Sequence, residues 1–157
     1  MKNFKELGFE SEEAQSIVDS LNILLSNYQI HYQKLRNFHW NVEGDVFFEL
    51  HELFEKEYNE VKIQIDEIAE RIRVFGKKPH STLQKYLEIA EIKECDNDYP
   101  SDKMVTEILN DLDMLISYLM DAYETASEIG DIATTDMLTK FLTRTETQHW
   151  MLNAYNK

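Results

Sequence analysis

A chain of 157 residues with 43% hydrophobic content is long enough for one domain with a real core and too apolar to stay disordered. Its 30 acids against 16 bases leave a formal charge of −14, which opposes nonspecific binding to nucleic acid and anionic membranes and attracts cations. Cys95 stands alone, so an intrachain disulfide and a thiolate zinc cluster are excluded. The opening segment, Met1 to Glu10, holds no apolar run of signal-peptide length, and no stretch reads as a membrane span. A cytoplasmic address is the expectation.

With 4 Gly and 2 Pro, the chain lacks the punctuation of a fold built from many short strands. From Ser11 to about Trp40 it runs without either residue, and Ile17, Leu21, Leu24, Leu25, Tyr28 and Tyr32 recur at spacings of three and four. Ser11 is the predicted N-cap, with Glu12 and Glu13 placed where the helix dipole favours acids. Asn41 to Asp45, with Gly44, reads as a tight connection. A second helix is predicted from Val46 to Phe75 and ended by Gly76. Lys77 to Ser81 is a loop, and Thr82 to Ile92 makes a short helix buried through Leu83, Tyr86 and Leu87. Glu94 to Asp102 is a polar loop around Pro100, in which Cys95 has no assigned role. The third long helix runs from Ser101 to Glu128, with Met104, Ile108, Leu112, Leu115, Leu119 and Tyr123 along its apolar line. The fourth runs from Asp131 to Tyr155, with Met137, Leu138, Phe141, Leu142 and Met151 inward. The methionines fall at core spacing and read as packing. Four long helices, two short connections and a longer middle one with its own short helix make an all-α four-helix bundle. No internal repeat or low-complexity segment interrupts it.

The second helix carries the informative residues: His51, Glu55, Asp66 and Glu70. At about 100° per residue, Glu55 lies about 40° round from His51, Asp66 about 60° and Glu70 about 100°, so the four share one arc. The apolar stripe of Phe54, Val61, Ile65, Ile68 and Ile72 lies beside that arc. Glu52, Glu57, Glu60 and Glu67 share the helix, so spacing alone fits a solvated acidic face as well as a metal-binding one. Rise sets the terms of the second reading. Glu55 and Asp66 are about 16 Å apart along the axis, whereas a dinuclear site spans only about 4 Å between its metals. One helix cannot bring both pairs to one centre. Two antiparallel copies related by a two-fold axis can, and they form a dimer with two equivalent sites. The competing solution places two lone Glu residues and two Glu-x-x-His motifs inside one chain. Only one such motif occurs here, Glu146-Thr147-Gln148-His149, so the interchain arrangement is preferred. His149 then reads as a surface or packing histidine, and His31 and His80 receive no role.

Taken together, His39-Trp40-Asn41-Val42, Phe48, Leu50-His51-Glu52 and Asp66-Glu67-Ile68-Ala69-Glu70-Arg71 resemble the signature of the Dps family of miniferritins. Gly130-Asp131 with Asp136-Met137-Leu138, and the closing Trp150-Met151-Leu152, are similar to that family's fourth helix. The resemblance runs from Ser11 to Tyr155. It implies a ferritin-like domain over residues 1–157 and a dodecameric shell that stores ferric mineral. It also implies a ferroxidase centre at the dimer two-fold, oxidising Fe(II) to Fe(III) with peroxide or dioxygen. The ligand set it implies is His39, His51 and Glu55 from one subunit, with Asp66 and Glu70 from the partner. The chain departs from the family at Glu55, where many members carry Asp, and the longer side chain bears on the second, weaker metal position.

Four further residues have two readings each. Trp40 either surrenders electrons to stray oxidising equivalents or packs at a helix end, the latter favoured. Arg36 either pairs with Glu55 or sits in solvent. Asp131 and Asp136 fall where the family has acidic three-fold pores, yet acids in a first turn also complement the helix dipole, with Asp131 as N-cap. Family members that bind DNA directly do so with basic tails. Here Lys2 and Lys5 are followed by Glu6 and Glu10, and no basic run stands near Lys157, so DNA binding is not expected. The rival function is a DNA-compacting structural protein of the same fold.

Overall fold

The structure, a computed structural model, describes residues 7–96 and 98–157. Lys2, Lys5 and Glu6, on which the tail argument rests, lie outside them. Five helices occur among the described residues: α1 (Ser11–Asn41), α2 (Phe47–Val74), α3 (Leu83–Ile89), α4 (Ser101–Glu128) and α5 (Ile132–Tyr155). None is long and apolar enough to cross a membrane.

Pairing along α1 sets the topology. Ser20 meets Thr125, whereas His31 and Lys34 meet Asp111, so α4 runs antiparallel to α1. The tight corner at Val42–Val46 makes α2 antiparallel to α1 as well. Consequently α2 and α4 run the same way, and the connection between them must travel the length of the bundle. Three asparagines of α1 hold it there. Asn22 Oδ1 accepts from His80 N–H at 2.9 Å, Asn27 Oδ1 accepts from both Glu91 and Ile92 N–H at 3.0 Å, and Asn37 Nδ2 donates to the Cys95 carbonyl at 2.8 Å. These bonds satisfy backbone groups that a segment without regular structure would otherwise bury unpaired. Asn22 and Asn27 are themselves buried.

The core is one cluster in which Tyr28, Phe38, Phe54 and Phe75 are the largest wholly buried side chains. Each such side chain contributes roughly 1.5–3 kcal/mol when removed from water. Gly76 (φ +76°) and Gly130 (φ +73°) take the left-handed conformation just past α2 and α4.

Several local expectations are corrected. The N-cap of α1 is Glu10, not Ser11; its N–H donates to the Glu13 carboxylate at 3.0 Å, which draws the helix start back one residue. In α3 only Tyr86 is buried, while Leu83 and Leu87 face outward, because a helix of about two turns laid on α1 turns a single large residue inward. Tyr123 is exposed: the buried line of α4 passes from Leu119 through Ala122 and Ala126, small residues that let α1 approach. On α5 the line runs Leu138, Phe141, Thr145, Gln148 and Leu152, which leaves Met151 outside. Met120 is exposed too, so packing describes only some of the methionines. Cys95 is half-buried with its Sγ 3.7 Å from Glu107 Oε2, and burial pushes its thiol up, away from thiolate chemistry.

Candidate metal centre

The α1–α2 corner brings His39 and His51 together. Their rings stack at 3.9 Å between centroids and 19° between planes. His39 Nδ1 lies 2.7 Å from the His51 carbonyl, and His51 Nδ1 lies 2.8 Å from the His39 carbonyl. A carbonyl only accepts, so each Nδ1 donates, and each neutral imidazole keeps its lone pair on Nε2. The arrangement has a local cause. α1 ends at Asn41, so the His39 carbonyl is one of the orphan acceptors of a helix terminus, and the His51 side chain fills it. Phe47 continues the stack on His51 at 4.9 Å, and Tyr58 meets the His39 ring edge-on at 5.4 Å. His39 is buried and His51 half-buried. The result is two imidazoles with fixed tautomers and fixed orientation, the state that outer hydrogen bonds impose on metal-binding histidines.

Glu55, Asp66 and Glu70 are all exposed on α2, which is unbroken from Phe47 to Val74. The helix therefore keeps Asp66 about 16 Å from Glu55 along its axis. Among the described residues no three His, Cys, Asp or Glu side chains converge as a metal cluster. One copy thus joins His39 with His51, and leaves Asp66 and Glu70 at a distance. The donor types fit iron: imidazole nitrogen suits a first-row transition metal, and carboxylates favour the trivalent ion over the divalent.

A second charged group went unread in the sequence. His31, Lys34 and Asp111 form a buried triad between α1 and α4, with His31 Nδ1 2.9 Å and Lys34 Nζ 2.6 Å from the two Asp111 oxygens. The signal was present as a lone acid, Asp111, inside the apolar period Ile108–Leu112–Leu115. Across the bundle, Arg144 holds the buried Glu57 at 2.7 Å. Burial nevertheless pushes the Glu57 carboxyl up, with Arg144, Lys56 and His31 pulling it part of the way back. His149 pairs with Asp113 at 3.0 Å, in keeping with a surface role.

The residues with two readings resolve differently from one another. Arg36 neither pairs with Glu55 nor stands free: its guanidinium lies over the Trp40 ring at 4.8 Å and the Tyr32 ring at 5.3 Å. Trp40 is 57% exposed, so packing inside this chain does not account for it. Asp131 is the N-cap of α5, accepting from Thr134 N–H at 3.1 Å and from Arg71 Nη2 at 2.8 Å, and it also accepts from the Thr134 hydroxyl. It is 3% exposed with its acceptors committed, so its place in the first turn of α5 accounts for it within one chain. Asp136 is exposed and paired with Lys140 at 2.7 Å.

The model of the ferritin-like domain family matches residues 18–157. A DNA protection during starvation protein from Brevibacillus brevis is 41% identical over 90% of this chain and 95% of its own length. DNA protection during starvation protein 2 from Bacillus anthracis is 39% identical, over 90% and 97%. The crystal structure of the DPS protein from Vibrio cholerae O1 is described as a member of a broad superfamily of ferritin-like diiron-carboxylate proteins. It superposes with a TM-score of 0.95 at 34% identity, covering 99% of this chain and 97% of that one. Bundle and match together define a ferritin-like protein of the diiron-carboxylate superfamily. Within that class the chain belongs to the Dps family, as the motifs on α1 and α2 led us to expect.

Proposed function

We propose that this chain is the subunit of a cytoplasmic miniferritin that oxidises Fe(II) with peroxide or dioxygen and stores the ferric product in a dodecameric shell. Iron is its substrate and cargo. The observation that carries the reading is the reciprocal clasp of His39 and His51, which presents two Nε2 donors and leaves the coordination sphere half made. Glu55 completes the near half, and Asp66 and Glu70 of an antiparallel copy supply the far half. The carboxylates bind Fe(II) and stabilise Fe(III) more, so the ligand set itself pulls the reaction forward. The longer reach of Glu55 governs how firmly the second iron is held.

Subunit mixing tests the shared site. An Asp66→Asn subunit paired with a His51→Ala subunit puts both defects in one site of the dimer and none in the other. Co-assembled mixed dimers should recover Fe(II) oxidation that neither variant shows alone. Mixed dimers as inactive as the parents would end the interchain reading.

The relatives are named for DNA protection, and the charge of −14 assigns that protection to chemistry rather than to coating. Removing Fe(II) together with peroxide removes the source of hydroxyl radical. The metal-free protein should give no mobility shift of duplex DNA at neutral pH and moderate salt. A clear shift would promote the DNA-compacting function.

A further inference from the structure

Two arginines make the hydrogen bonds that cross from α2 to α5. Arg71 reaches Asp131 and Thr134 at the start of α5, and Arg144 reaches Glu57 at 2.7 Å midway along it. Among the described residues, no hydrogen bond joins the two helices beyond Arg144. A groove of about 700 Å³ runs along this seam, large enough for a small organic molecule. None of the proposed iron ligands lines it. Its two ends differ in chemistry. Toward the end of α5 the walls are Met151, Leu152 and Tyr155, with Leu53 of α2 opposite. Met151 is 58% exposed and Tyr155 is exposed too, so large apolar side chains stand in water beside the buried Leu152. Toward the start of α5 the groove holds Lys56, Lys140 and Arg144 against a single acid, Glu57, in a chain whose balance is −14.

The polar end lacks free acceptors. Glu57 is spent on Arg144, whose Nε also lies 3.8 Å from Glu60 Oε2, and Lys140 is shared with Asp136 at 2.7 Å. Thr139, Thr143 and Thr147 each donate their hydroxyl hydrogen to the carbonyl four residues back, at 2.7, 2.9 and 2.8 Å, so they add no donor. Gln148, in the wall between the two ends, is about nine-tenths buried, and its Nε2 finds no acceptor within the chain. A neutral hydrophobe would meet only the walls, and a bare anion only the cations. We propose that the α2–α5 groove is a binding site for a small anionic amphiphile, a carboxylate with an alkyl or aryl body. The carboxylate lies between Arg144 and the two lysines, where each N–H it accepts is charge-assisted. It also offers Gln148 the acceptor that the chain withholds. The body lies along Leu53, Met151 and Tyr155, and the release of water from those side chains drives it in. Occupancy ties α2 to α5 over the stretch where the chain itself does not.

Calorimetric titration of the full-length, iron-free protein with sodium decanoate tests the site, at neutral pH and below the micelle concentration. Saturation at one decanoate per subunit is expected, with decanol and decyltrimethylammonium binding severalfold more weakly. Met151→Glu sets a charge on the apolar wall at an exposed position and should abolish binding. Lys140→Glu, exposed at the other end, should weaken decanoate severalfold and leave decanol unchanged. Circular dichroism and particle mass should match the wild type in both variants. The comparison of decanoate with decanol on the wild type decides the charge requirement even if a variant fails to fold. No saturable decanoate binding overturns the proposal, and so does decanol bound as tightly as decanoate. Binding unchanged in both variants places the amphiphile on another exposed apolar patch and overturns it too.

Discussion

The His31–Lys34–Asp111 triad and the His39–His51 pair use similar side chains to opposite ends. In the triad, both Asp111 oxygens are engaged inside the same chain, one by His31 Nδ1 and one by Lys34 Nζ, and the group is sealed between α1 and α4. In the corner pair, each imidazole spends one nitrogen on a carbonyl and keeps the other free, while the nearby acids point outward. A cluster whose acid is held on both oxygens contributes to the native state. One whose acids stay exposed is available for chemistry. Residue identity does not separate the two cases, and neither does the second ring nitrogen, since His31 Nε2 also lacks a partner; the engagement of the acids does.

Substitutions that break this comparison should grade from large to small in stability. Asp111→Ala leaves Lys34 buried and uncompensated, which should cost roughly 3–5 kcal/mol in chemical denaturation. Arg144→Met strips the partner from Glu57 and should cost about 2–3 kcal/mol, the lower range because Arg144 keeps some solvent contact. This second variant carries a pH signature. The Glu57 carboxyl is already raised by burial, so the folded chain holds its proton more tightly than the unfolded chain does. The destabilisation should therefore shrink as pH falls through that raised range and grow as pH rises, because the folded chain binds the proton more tightly than the unfolded one. A deficit that is flat with pH would remove Glu57 as its source. Asn27→Ala orphans two backbone N–H groups of the crossover and should cost about 1–2 kcal/mol. Its loss of protection should be confined to residues near Glu91 and Ile92, as read by amide exchange. At the far end, Asp66→Asn should move stability by less than about 0.5 kcal/mol, since the side chain is exposed. Yet it should slow Fe(II) oxidation strongly. If Asp66→Asn unfolds the protein, or Asp111→Ala leaves stability intact, the contrast between filled and unfilled clusters is wrong.

The long helices were legible because their signal is repeated many times over. α4 has the bounds that the apolar period gives, Ser101 to Glu128. What failed were single-residue assignments at the rims, such as Tyr123 and Met151. The sequence period locates a face but not the distance to the neighbouring helix, and alanine or leucine one position away takes the inward place. That His51, Glu55, Asp66 and Glu70 share one side of α2 was legible for the same reason as the helices, since spacing along one helix needs no tertiary knowledge. His39 came from resemblance alone, because its partner is reached through a corner whose geometry no periodicity records. Arg36 was misread because its partners, Tyr32 and Trp40, lie on its own helix and attract it by ring faces rather than by charge. The asparagine staples were invisible too: an Asn at a helical position gives no hint that its amide faces a crossover many residues away.

The clasp at the corner couples occupancy to local folding. His51 closes the last open carbonyl turn of α1, so fraying that turn releases the His51 ring, and releasing the ring dissolves the donor pair. Whatever binds only the intact pair must then stiffen the corner, by RT ln(1 + [L]/Kd) relative to the frayed state. In the metal-free protein, residues from His39 to His51 should exchange their amide hydrogens faster than the bundle centre. Loading with metal should slow that exchange in proportion to affinity. With iron bound there as proposed, the corner would act as a local thermometer of the metal: the scarcer it is, the more often the hinge between the first two helices should come undone.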